Sequence, residues 1–320
     1  MKRAAFIVLL CVRAGAQTDP AAQLRSLLDS TPRLALEQVA LADLMPNAAS
    51  LGTVSSVASD RDGAIYVLQR GDKADPVIVV DREGHVLRSW GKGMFTVPHS
   101  VRIDPEGNIW TVDAGSSVLL KFSPQGKKLQ QIDVGEVAPA EKCAFPTLCG
   151  TTDITFAPNG RLFISDGYGN ARILEYTSDG KRVKVWGSSG TGPGQFRIPH
   201  GIANDGKTLF VADRTNARIQ RFDLEGRYLG EWTHLGRPFA LKISSGALWV
   251  SAMTLDQRAV PWMLKVDPTD GKLLGQIQSS GPHSIDVNGA QELFANGCCG
   301  GVNPNGFFLL RQMASDRKRQ

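Results

Sequence analysis

From residue 51 onward the chain alternates short apolar runs with turns rich in Asp, Asn, Pro and Gly, and it does so six times. The most regular runs are IYVLQR at 65–70, IWTVDA at 109–114, LFISDG at 162–167, LFVADR at 209–214, LWVSAM at 248–253 and LFANGC at 293–298. Their length and their β-branched and aromatic content predict strands. Turns such as DRDG, DPEG, APNG and NDG precede them. Third strands follow in ARILEY and ARIQRF, and fourth strands start after SDGK, LEGR and TDGK. Four strands per unit, recurring at roughly 40–50 residues, is the period of a propeller blade. The pattern therefore predicts an all-β fold, a six-bladed β-propeller over 51–312. No Trp-Asp dipeptide occurs, so the units are not of the WD40 kind.

Ahead of the repeats, in an extension over 17–50, AAQLRSLL has helical spacing and predicts a short helix. LALEQVAL is a candidate outer strand closing the ring against the last blade. DGYGNARI, GTGPGQFRIPHGI and VADRTNARIQRF resemble the NHL repeat family, which implies the same propeller. The glycines of GSSGTGPG suggest a phosphate loop at first sight. Pro193 and the strand that follows leave no helix N-terminus there, so the segment reads as a connector.

The first sixteen residues differ in kind. Lys2 and Arg3 precede AAFIVLLCV, and AGA at 14–16 offers a cleavage site, the layout of a secretory signal peptide. No other stretch is apolar enough to span a bilayer, so an exported, monomeric protein without membrane insertion is expected, periplasmic or secreted. Removing Lys2, Arg3 and Arg13 lowers the formal charge from +5 to +2. Residues 313–320 read as a flexible basic tail, and no basic stripe with interleaved aromatics points to nucleic acid. Four cysteines remain after cleavage. Cys143 and Cys149 flank CAFPTLC and can close it as a disulfide, whereas Cys298 and Cys299 are adjacent; a crossed pairing stays open.

Aligning the six units also aligns the position just before each first strand: Ser55, His99, Thr152, His200, Phe239 and His283. The three histidines fall in alternate units. In a closed six-bladed ring these lie about 120° apart around the channel that first strands line. Three imidazoles at one height, with a fourth position open, is the donor set of a catalytic zinc. His85 and His234 fall on outer strands or turns and read as surface residues. The ends of the second strands align as well, bringing Arg70, Arg214 and the loop residue Tyr168 toward the same place. Together they offer a carboxylate clamp and a phenol beside a Lewis acid. Asp113, Asp166 and Asp213 recur at one position and read as structural.

Those stretches resemble the peptidylamidoglycolate lyases, the lyase half of peptide C-terminal amidation. The resemblance implies zinc held by His99, His200 and His283, with Tyr168 in DGYGN as base. It also implies that Arg70 in LQRGD binds the substrate carboxylate and that Arg214 in ADRTN supports the site. The reaction implied converts a peptidyl-α-hydroxyglycine into an amide and glyoxylate, with zinc and the arginines favouring tyrosinate. Two departures stand out. The family carries Cys after the Tyr, paired with a Cys like Cys149; Gly169 stands there, so Cys149 needs another partner, for which Cys143 is the first expectation. The family's third histidine is followed by an Asp that helps bind a structural calcium; Ser284 stands there, so calcium is a weaker expectation than zinc. The absence of a monooxygenase domain widens the expected substrates to other hydroxyglycine-like or ureidoglycolate-like carbinolamides. A non-catalytic NHL scaffold is the main alternative. A lactonase-type hydrolase is disfavoured, because those propellers surround calcium with carboxylates and Asn.

Overall fold

The computed structural model describes residues 19–46, 48–135, 138–143, 148–256, 260–278, 282–297 and 306–312. The expected signal peptide and basic tail, with Cys298 and Cys299, lie outside the described residues. Six four-stranded sheets stand as blades around a channel, and the pairs within each blade are antiparallel. Blade 1 runs Val54–Ser59, Ile65–Gln69, Val77–Val80 and Val86–Trp90 from channel to rim, and blades 2 to 5 repeat that order. Their innermost strands are Pro98–Ile103, Asp153–Phe156, Pro199–Asn204 and Arg237–Ser244. Blade 6 takes three strands from the C-terminal end, Pro282–Val287, Leu293–Gly297 and Phe307–Gln312. Its fourth is Leu36–Ala40, with Val39 opposite Leu309. The ring is thus closed by the strand expected in LALEQVAL.

Each unit folds as it does because side chains from facing sheets fill the gaps between blades. Trp110, Ile154, Leu162 and Tyr176 join blades 2 and 3, and Phe163, Phe196, Leu209 and Phe222 join blades 3 and 4. Burying one such side chain is worth about 1.5–3 kcal/mol. Outer strands see water, and the strand Arg182–Trp186 is exposed along most of its length. The turn aspartates hold the hairpins: Asp60 accepts from the amides of Asp62 and Ala64, and Asp104 from that of Asn108.

The helix expected near AAQLRSLL spans Pro20–Ser30, with Asp19 as its N-cap and Pro at its start. Leu24 and Leu28, one turn apart, bury against Trp232 and Leu235. The GSSGTGPG connector pairs Ser188–Ser189 in parallel with Gln195–Phe196, and no helix begins there. Among the described residues no helix is long and apolar enough to cross a membrane. Cys143 and Cys149 form a disulfide.

Candidate metal centre

The innermost strands of blades 2, 4 and 6 each carry a β-bulge at the histidine. Pro98 lies opposite Asp113 and Ser100 opposite Val112, which leaves His99 unpaired between them. His283 is skipped in the same way between Pro282 and Ser284. In blade 4 the register shifts between Pro199 and Ile202, so His200 and Gly201 share one partner position. A bulge re-aims a side chain that the regular pleat would point elsewhere. All three rings enter the channel and are at most 5 % exposed. Their centroids stand 5.0, 4.9 and 4.8 Å apart, a nearly equilateral triangle.

The outer nitrogen of each ring is spoken for. His99 Nδ1 donates to the carbonyl of Thr152 at 2.7 Å, His200 Nδ1 to that of Phe239 at 2.9 Å, and His283 Nδ1 to that of Ser55 at 2.8 Å. A carbonyl can only accept, so each Nδ1 carries the proton and each Nε2 presents a lone pair. The acceptors are the three remaining members of the aligned set, each in the blade next to its histidine. Gly201 makes one of these bonds possible, because a Cβ there would stand 2.6 Å from the Phe239 carbonyl oxygen.

The ligand atoms of the three histidines lie within 4.8 Å of one another. His283 Nε2 is buried and has no hydrogen-bond partner among the described residues. A buried acceptor left unpaired is costly unless something else satisfies it. Burial holds the imidazoles neutral: His99 and His200 titrate well below the ordinary range and His283 at about 3, with the nearby rings and arginines adding to the effect. Neutral, converging, correctly tautomerised imidazoles are what a divalent transition metal requires.

Tyr168 is 2 % exposed and reaches the same point from the loop after the second strand of blade 3. Its hydroxyl is 2.9 Å from His99 Nε2 and 3.1 Å from His200 Nε2. Its amide donates to the Gly150 carbonyl at 3.1 Å, next to Cys149. Gly169 leaves no room for the cysteine expected from the family pattern, since a Cβ there would stand 2.1 Å from that of Ala138. Arg214 hydrogen-bonds the phenol, and its guanidinium lies 5.7 Å from the Tyr168 ring centre and 5.2 Å from that of Phe239. Arg70 donates through Nε to the Pro98 carbonyl at 3.0 Å and faces Tyr168 and Asp113, with burial drawing its pKa down. The expectation that neighbouring arginines favour tyrosinate is met only halfway. Arg214 and Arg70 do pull the phenol down, but burial outweighs them and its pKa is raised.

All six residues expected at the site from sequence therefore meet there. Asp113 and Asp213 cap backbone amides, and Asp166 and Asp213 pair with Arg172 and Arg218, as structural residues do. No residue pattern in the sequence marks Phe239 or the carbonyl acceptors as part of the site. Their only signal is membership of the aligned set, because a carbonyl leaves no mark in a sequence.

A family model described as a 6-bladed beta-propeller matches residues 148–243. Mouse peptidyl-glycine alpha-amidating monooxygenase is 32% identical over 202 residues, covering 53% of this chain and 20% of that protein. A probable peptidyl-alpha-hydroxyglycine alpha-amidating lyase of Caenorhabditis elegans is 27% identical over 227 residues, covering 60% of this chain and 64% of that protein. The chain is similar to the amidating lyases over a little more than half of its length. It is also 31% identical over 198 residues to human NHL repeat-containing protein 3, covering 57% of this chain and 56% of that protein. The chain thus spans about a fifth of the mouse monooxygenase and under two thirds of the other two. Among solved structures, virginiamycin B lyase from Staphylococcus aureus superposes with a TM-score of 0.60 at 15% identity, covering 87% of this chain and 99% of that one; the likeness is one of fold.

Proposed function

We propose that the protein is a zinc-dependent carbon–nitrogen lyase acting on α-hydroxyglycine-type carbinolamides, releasing an amide and glyoxylate. The observation that carries the reading is the Tyr168 hydroxyl, held within hydrogen-bond distance of two of the three converging Nε2 atoms. His99, His200 and His283 would hold the zinc, which when bound acts as a Lewis acid toward the substrate hydroxyl. Arg70 would take the substrate carboxylate. Tyr168, as phenolate, would remove the hydroxyl proton; the C–N bond breaks as the carbonyl of glyoxylate forms, and the departing amide nitrogen takes up a proton. Arg214 donates to the phenol oxygen and so favours its ionised form against the cost of burial. The burial of the three histidines and of Tyr168 keeps this chemistry away from bulk water.

The homologues named as amidating lyases support this reading, and the disulfide fits an exported protein. The likeness to NHL repeat-containing protein 3 favours a second one, a binding propeller without chemistry. Zinc analysis together with glyoxylate release from a benzoyl-hydroxyglycine substrate separates them. The lyase reading expects one zinc per chain, its loss in His200→Ala, and turnover reduced by about 10²–10⁴ in Tyr168→Phe with zinc retained. Protein without stoichiometric zinc, or turnover unaffected by Tyr168→Phe, overturns it.

A further inference from the structure

Just below the histidines, on the same innermost strands, lies a second ring of polar side chains that the proposed chemistry does not use. Arg102 in blade 2 is 6 % exposed. Its guanidinium grips Asp153 of blade 3 with both arms, Nε to Oδ1 at 2.9 Å and Nη2 to Oδ2 at 2.7 Å. Its remaining arm, Nη1, crosses the channel to the Ile285 carbonyl of blade 6 at 3.0 Å. Asp153 also accepts from Ser100 at 2.7 Å and from the amide of Ile202 in blade 4 at 3.4 Å. Asp286 of blade 6 pairs with Lys242 of blade 5 at 2.6 Å and accepts from the amide and hydroxyl of Ser59 in blade 1 at 2.8 and 3.0 Å. Arg102, Lys242 and Asp286 each lie three positions after a member of the aligned set, so they share one level of the channel.

Every blade contributes to this layer, and its two cations and two anions balance. The space between it and the histidines is about 10 Å³, room for one water at most. On its other side a cavity of about 680 Å³, lined in part by Asp60, Asp104, Asn204 and Asn288, opens to the far face. The layer therefore separates the metal centre from that mouth.

The family resemblance implies a structural calcium helped by an acidic residue at position 284. Calcium takes six to eight oxygen ligands, carboxylates prominent among them. Here the Ser284 hydroxyl is paired with that of Ser56 at 2.9 Å, and the nearby carboxylates of Asp153 and Asp286 are committed to Arg102, Lys242 and Ser59. The residues do not fit that ion.

We infer that Arg102 is the chain's own channel cation: its guanidinium ties the innermost strands together, so the ring stands without bound calcium and the channel is closed beneath the metal centre. A guanidinium suits the task because its planar fork bonds one carboxylate with two donors and spares others for a third blade. This inference is independent of the lyase reading.

The test is thermal unfolding of the purified full chain with and without calcium chloride at millimolar concentration, beside Arg102→Met and Arg102→Lys. Wild type should keep its Tm when calcium is added. Arg102→Met, which leaves Asp153 buried against no charge, should fall by about 10 °C, with Arg102→Lys in between. A calcium-dependent rise of several degrees in wild type, or variants melting with wild type, overturns the inference. Should Arg102→Met fail to fold, the lysine variant and the calcium titration still decide.

Discussion

His283 donates its Nδ1 proton to the Ser55 carbonyl at 2.8 Å across the seam where the last blade meets the first. One of the three proposed ligands is thus oriented by a bond that exists only when the ring is closed, and the strand Leu36–Ala40 completes that closure. Metal affinity and ring closure should be coupled. In Val39→Asp a charge replaces a half-buried side chain packed on the core that joins blades 6 and 1. The expected cost is about 2 kcal/mol, a Tm lower by about 4–8 °C, with zinc bound several-fold more weakly. Calorimetry and a zinc competition titration check it; a destabilised variant with unchanged zinc affinity would show the seam to be irrelevant to the site.

The ring, its closing strand and the meeting of His99, His200 and His283 are legible in the sequence because turn residues punctuate every hairpin. Counting from those turns places each histidine at the same height. Two things are not legible. The bulges that rotate the histidines inward are register shifts of a single residue, and nothing in RIPHGI distinguishes a bulged strand from a regular one. The balance at Tyr168 is the other: the arginines can be located by alignment, but the completeness of its burial depends on loops from several blades.

Phe239 and Tyr168 both place their rings within cation–π distance of the Arg214 guanidinium. Phe239→Ala removes one of these rings while leaving the carbonyl that orients His200. A cation–π contact of about 0.5–1 kcal/mol predicts kcat/KM lower by about 2- to 5-fold, with zinc content intact. Phe239→Tyr should restore it. Steady-state kinetics on the same hydroxyglycine substrate decides, and an alanine variant with wild-type kinetics would remove Phe239 from the site.

The disulfide between Cys143 and Cys149 braces the chain just before Gly150, whose carbonyl holds the Tyr168 amide. Replacing both cysteines by serine should cost about 2 kcal/mol, since the closed loop is short. Turnover should fall further than zinc content does, because the bond anchors the phenol rather than the ligands. Equal losses of both would contradict that assignment.

Asp286 makes a pH prediction. Burial opposes its charge, but Lys242 and the Ser59 amide hold its carboxyl below the ordinary range. Between the folded and unfolded values the unfolded chain binds more protons. The stabilisation is therefore present above the ordinary carboxylate pKa and is lost as pH falls through the folded one, at up to about 1.4 kcal/mol per pH unit. Urea unfolding of wild type and Asp286→Asn from pH 7 down to 3 should show the wild-type advantage shrinking below about pH 4. A constant gap would exclude Asp286 as its source.

Histidines stand in blades 2, 4 and 6, and the carbonyls that orient them in blades 3, 5 and 1. Donors and acceptors alternate around the circle, so the repeating module of the site is two blades rather than one. Such a pattern has a parity: a ring of five or seven blades would set two donors or two acceptors side by side. Evolution of this centre by gain or loss of blades must then proceed in twos, whereas a single-blade change could keep the propeller and lose the metal.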